Sequence, residues 1–200
     1  MLNQKIRGIW DVVMKPVGRG LARSGVSPNA ITLLGVVLQG VVGYLIVDDR
    51  LLFAGVMATV AAVADTLDGA VAKAQGHSNS VGALLDSTAD RLSDALFFAP
   101  VAWLYGVAPD PARRDQRWVA ALALAALVAS FLVSYVKARA EGLGYQCNVG
   151  IVERAERIIL MILGLLLNLV PVALIVLAGL SVVTVVQRLL HVRAQARSVV

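Results

Sequence analysis

The chain has 200 residues, a net charge of +5, 58% hydrophobic residues and one cysteine, with a mean hydropathy of +0.78. Soluble domains carry about 45–50% apolar residues, so this composition excludes an ordinary soluble domain and predicts a polytopic membrane protein. A single Cys147 excludes an intramolecular disulfide, and no nucleic-acid partner is expected. Residues 1–25 set Lys5, Arg7, Lys15, Arg19 and Arg23 among apolar residues at 6, 9, 10, 13, 14, 17 and 21. That helical spacing predicts an amphipathic helix lying in the headgroup plane, bent or broken at Pro16. Its first charges are not followed by an uninterrupted apolar core, so a cleavable signal peptide is not expected.

Six apolar segments follow, at about 29–47, 51–74, 81–106, 117–140, 151–170 and 171–190, each near the roughly 20 residues that span hydrocarbon. The expected fold is an all-α polytopic membrane protein with six transmembrane helices behind the interfacial helix. It forms one domain over 1–200, of which 26–200 is the six-helix core. Ser27 and Pro28 suit the N-cap and first turn of the first segment, and the free amides of such a terminus attract phosphate. The break between the last two segments is expected at Pro171.

Between the second and third segments stands Asp65-x-x-Asp68-Gly69-x-x-Ala72-Lys73, then eight residues, then Gly82-x-x-x-Asp86-x-x-x-Asp90. An ionised Asp at bilayer depth costs roughly 2.5–3.5 kcal/mol on insertion scales unless it faces a polar cavity or a counter-ion. Spacings of i,i+3 and i,i+4 set each carboxylate pair on one helical face. Two facing helices then present four carboxylates to one point, and a divalent metal is the natural counter-ion. Small residues at 69, 72 and 82 let neighbouring helices approach or expose backbone to a ligand. Asp94, one turn past Asp90, is expected to support the site or form a salt bridge.

This pattern resembles the signature of the CDP-alcohol phosphotransferase family, D-x2-D-G-x2-A-R-x8-G-x3-D-x3-D, in all but one position. Lys73 replaces the family's Arg and cannot make its bidentate fork to phosphate. The resemblance implies that Asp65, Asp68, Asp86 and Asp90 hold two Mg²⁺ ions, with Mn²⁺ as the alternative. It implies that an acceptor alcohol attacks the β-phosphorus of a CDP-linked lipid, that CMP departs, and that Asp90 accepts the proton. Family members carry a similar P-N/D-x-x-T segment, so Asn29, Ala30, Ile31 and Thr32 are expected to touch CDP-diacylglycerol, together with Gly69, Lys73 and Asn79. A homodimer in the bacterial cell membrane is likewise implied.

The second half carries Ser134-Tyr135-Val136-Lys137-Ala138-Arg139-Ala140-Glu141, then Val152-Glu153-Arg154-Ala155-Glu156-Arg157, then Gln187-Arg188. Ser134, Lys137 and Glu141 share a helical face, and cations beside an acidic metal site suit an acceptor that is itself a phosphate. These runs look like the branch of the family that makes phosphatidylinositol phosphate in actinobacteria. There, residues matching Ser134, Lys137, Arg154 and Arg188 hold the phosphate of inositol phosphate. Phosphatidylglycerophosphate synthases, which use glycerol 3-phosphate, carry similar stretches and are the alternative. Glu153 and Arg157 are also spaced for a plain i,i+4 ion pair.

Basic residues set the orientation. Those of 1–25, with Lys73, Arg91, Lys137, Arg139, Arg154, Arg157, Arg188, Arg193 and Arg197, fall on the N-terminal side, against Arg50, Arg113, Arg114 and Arg117 on the other. Both termini and the carboxylates are therefore expected at the cytoplasmic face. A cation transporter could also carry intramembrane acids, yet the second and third segments are apolar beyond the motif and offer no polar route across.

Overall fold

The computed structural model describes residues 16, 20, 23, 25–75, 80–107, 113 and 115–198; Asp68, Ala72, Lys73 and Ser198 are described for backbone alone. The expected interfacial helix lies almost wholly outside the described residues. Among those residues the regular structure is entirely helical, without strands, as α1 (Pro28–Val47), α2 (Leu51–Gln75), α3 (Ser80–Val107), α4 (Arg117–Gly142), α5 (Arg154–Leu166) and α6 (Val170–Ser198).

Four of these helical stretches are long and apolar enough to cross a membrane: α1, Leu51–Val71 of α2, α4, and Val170–Arg197 of α6. Helix α3 has the length, but it carries Asp86, Asp90, Arg91 and Asp94 within its first fifteen residues. Helix α5 has only 13 residues, roughly 20 Å against a hydrocarbon core of about 30 Å. Apolar side chains face outward along the spans, including Leu33 and Leu34 at 65% and 52% exposure. Such faces are unfavourable in water and suited to lipid.

The chain divides into two compact units, Met1–Val41 with Met57–Ser93, and Val42–Val56 with Asp94–Val200. In the first, the Ser27 hydroxyl accepts the Ala30 N–H at 3.2 Å and so caps α1. The Gln75 side-chain amide at the end of α2 donates to the Val26 carbonyl at 3.0 Å, which holds the start of α1 beside the end of α2.

In the second unit α1 packs against α3. A Cβ on Gly43 would stand 2.8 Å from the Leu96 carbonyl oxygen and 3.0 Å from Pro100 Cγ. Pro100 lacks the N–H that would bond this carbonyl within the helix, and only glycine lets α1 settle onto the site. At one end of the unit the Arg113 guanidinium pairs with Asp49 at 2.8 Å and donates to the Tyr105 hydroxyl at 2.9 Å. That pair joins the α1–α2 turn to the segment before α4.

Helix α5 ends through bonds from Leu167 N–H to the Leu163 carbonyl and from Leu169 N–H to the Gly164 carbonyl. Asn168 adopts φ 54° at this turn, a left-handed conformation that asparagine tolerates. The break therefore falls at 167–169, and Pro171 lies inside the first turn of α6, where its missing N–H leaves no bond unmade. Helix α6 also runs eight residues past the expected end at 190.

Candidate active site

Two groups of site residues emerge, one in each unit. In the first, α2 presents Asp65 and α3 presents Asp86 and Asp90; Asp86 is exposed and Asp65 and Asp90 are half-buried. The side chains of Asp68 and Lys73, and all of Asn79, lie outside the described residues. Among the described residues no three His, Cys, Asp or Glu side chains converge to hold an ion. The donor set is nevertheless of one kind, anionic oxygen on two helices of one unit, which is the chemistry that Mg²⁺ and Mn²⁺ accept.

Asp90 keeps 17% of its side chain exposed and stands 3.4 Å from the Arg91 Nη1. The same Nη1 donates to the Ser87 carbonyl at 2.8 Å, so Arg91 is folded back along its own helix beside the carboxylate. Arg91 was legible in the sequence only as a basic residue near the membrane edge. Gly69 differs from its expected role in helix approach: a Cβ there would meet nothing within 4 Å, so its surroundings are open. At the start of α1, Asn29 and Ala30 are exposed and Ile31 and Thr32 are buried. The Thr32 hydroxyl donates to the Pro28 carbonyl at 3.2 Å, turned toward its own helix.

In the second unit Arg188 is the hub. It is 3% exposed, and its Nε donates to the Val149 carbonyl at 2.9 Å. Its Nη1 donates to the Val133 carbonyl, next in sequence to Ser134, and its Nη2 lies 3.8 Å from Glu153 Oε1, next to Arg154. Three residues expected on the acceptor phosphate, Ser134, Arg154 and Arg188, thus belong to elements joined through one guanidinium. Two of its five N–H groups go to carbonyls; the Nη2 edge remains directed at an anion. Lys137 stands one turn along α4 from Ser134, with Nζ 4.0 Å from Glu141.

Asp94 and Arg157 form an ion pair at 3.1 Å with side-chain exposures of 8% and 4%. This gives Asp94 the salt-bridge role expected of it and joins α3 to α5. Arg157 reaches across 63 residues of chain for this partner, which local i,i+4 spacing could not reveal. Sequence reasoning also passed over Gln75 and Gln195, polar residues at or near helix ends, and Thr184, a hydroxyl in the middle of an apolar helix.

A family model described as CDP-alcohol phosphatidyltransferase matches residues 25–187. The phosphatidylinositol phosphate synthase of Corynebacterium glutamicum is 39% identical over 196 residues, covering 94% of this chain and 88% of its own. A crystal structure of Mycobacterium tuberculosis phosphatidylinositol phosphate synthase with CDP-DAG bound aligns with a TM-score of 0.81 at 32% identity, covering 90% of this chain and 93% of that one. The same protein in complex with manganese and citrate aligns with a TM-score of 0.80 at 32% identity, over 90% and 88% of the two chains.

Proposed function

The chain belongs to the CDP-alcohol phosphatidyltransferase family, and from that premise we propose that it transfers the phosphatidyl group of CDP-diacylglycerol to 1D-myo-inositol 3-phosphate, giving phosphatidylinositol phosphate and CMP. The observation that carries this reading is likeness along nearly the whole chain to synthases of that name. Family membership sets the transporter reading aside.

In the reaction, a hydroxyl oxygen of the acceptor bonds to the lipid-side phosphorus as the bond from that phosphorus to the bridging oxygen breaks. CMP leaves with the electron pair. Asp90 takes the acceptor's proton, the work of a general base within hydrogen-bond reach. Asp65, Asp68, Asp86 and Asp90 would hold two Mg²⁺ ions, or Mn²⁺ in their place, which when bound polarise the phosphoryl group and stabilise the leaving oxygen. Asn29, Ala30, Ile31 and Thr32, with Gly69, Lys73 and Asn79, bind the CDP-lipid. Lys73 contributes a point charge where a fork is missing.

Ser134, Lys137, Arg154 and Arg188 bind the acceptor's phosphate, which takes the place of the long Glu153 contact on the Arg188 Nη2. The whole chain acts as one domain of a homodimer in the bacterial cell membrane. Segment 1–25 lies in the headgroup plane, α3 and α5 complete six membrane helices, and the basic residues hold both termini and the site at the cytoplasmic face.

The test is CMP release by purified protein with CDP-diacylglycerol and Mg²⁺, comparing inositol phosphate, glycerol 3-phosphate and free inositol. Release with inositol phosphate alone supports the reading, and preference for glycerol phosphate or free inositol overturns the choice of acceptor. Arg154→Ala should raise KM for inositol phosphate far more than KM for CDP-diacylglycerol; an equal rise in both would make Arg154 structural.

A further inference from the structure

The eleven residues Leu143–Glu153 between α4 and α5 have no regular structure, and their backbone groups need partners from elsewhere. Leu143, Gly144 and Tyr145 bond back to α4, and helix α6 supplies partners from Gln146 to Val152. Gln195 pairs with Gln146 twice, its Oε1 accepting the N–H at 3.1 Å and its Nε2 donating to the carbonyl at 2.6 Å. The Arg188 Nε takes the Val149 carbonyl, and the Thr184 hydroxyl accepts the Val152 N–H at 3.1 Å while donating to the Leu180 carbonyl.

Residues 184, 188 and 195 lie on one stripe of the helix, so the segment is fastened along α6 as a strap. It is seated closely. A Cβ at Gly150, which adopts φ 140°, would stand 2.6 Å from Thr184 Cγ2, and Cys147 and Val152 are buried at 0% and 2% exposure. The strap ends on Glu153, whose N–H donates to Glu156 at 3.0 Å as the N-cap of α5, so the next residue, Arg154, starts from a fixed point.

We infer that Thr184 and Gln195 are positioning residues of the transfer reaction. By clamping the strap onto α6 they hold Arg154 in register with Arg188, and so set affinity for the phosphate of the acceptor. The inference rests on the acceptor reading above.

The chain's single cysteine reports on the strap directly, because Cys147 reacts with a maleimide only when the strap lifts. Thr184→Val, which removes one bond to the strap, should speed Cys147 labelling about fivefold, and Gln195→Leu, which removes two, about thirtyfold. KM for inositol phosphate should rise by a similar factor, with KM for CDP-diacylglycerol within about twofold of wild type, and Thr184→Ser should restore both readouts. Thr184 is buried, so should its valine variant not fold, Gln195→Leu at the half-exposed end decides alone. Unchanged labelling overturns the clamp. Faster labelling with both KM values moved equally, or neither moved, overturns the link to the acceptor. Wild-type protein active only with glycerol 3-phosphate overturns the choice of acceptor alone, and the KM comparison is then read with that alcohol.

Discussion

At Asp90 the carboxylate is neither buried away nor fully solvated, and Arg91 lies beside it with one N–H group fixed to the Ser87 carbonyl. A base so placed can reach both the acceptor and the water that carries its proton away. Asp90→Asn keeps the shape and removes the basicity, so turnover should fall by about 10²- to 10⁴-fold. The rise in thermal stability on adding CDP-diacylglycerol should survive; turnover within tenfold of wild type would end the assignment of Asp90 as base. Gly69 allows a sharper separation of fold from function. Open space around its Cβ position means that Gly69→Ala should stabilise α2 by up to about 1 kcal/mol through helix propensity. If that glycine leaves room for the CDP-lipid, the same variant should raise KM for CDP-diacylglycerol while its unfolding temperature holds or climbs. A more stable variant with unchanged kinetics would leave Gly69 without a part in binding.

Among the elements, α5 departs most from its sequence pattern. Residues 151–170 are apolar enough to predict a span, yet the helix covers only Arg154–Leu166. The reason lies in conformations that hydropathy does not record: Gly144 and Gly150 at positive φ, Glu153 at the cap, and Asn168 at the closing turn. The carboxylate motif was legible because its spacing is local, whereas Asp94–Arg157 and Arg188–Val133 join residues more than fifty positions apart. The Asp94–Arg157 pair carries its own prediction. Arg157→Met leaves a carboxylate almost without water and should cost about 3–5 kcal/mol, with roughly 2–4 °C lost per kcal/mol in a chain of this size. Pairing it with Asp94→Leu removes the uncompensated charge and should recover most of that loss in a thermal melt of detergent-solubilised protein. A double variant no more stable than Arg157→Met would mean that the pair does more than neutralise itself.

For the molecule as a whole, the short connections and basic residues read from the sequence predict which ends of the second unit lie together, and its contacts are consistent with them. Asp49 meets Arg113 across the α1–α2 turn and the segment before α4, while the strap meets the last turns of α6 at Gln195. At 29 residues, α6 is roughly 43 Å long and exceeds the hydrocarbon thickness of about 30 Å, so its basic end must project into water. That geometry accounts for Arg193 and Arg197 continuing a helix that hydropathy alone would end near 190. If the excess of Lys and Arg marks the cytoplasmic face, a cysteine at Arg193→Cys, in a Cys147→Ser background, should react with an impermeant maleimide only from the cytoplasmic side of membrane vesicles. One at Arg50→Cys should react only from the opposite side. Labelling of both from one side would refute the alternation of helices, and clean labelling with the sides reversed would place the carboxylates away from the compartment that holds nucleotides and overturn the orientation while leaving the fold intact.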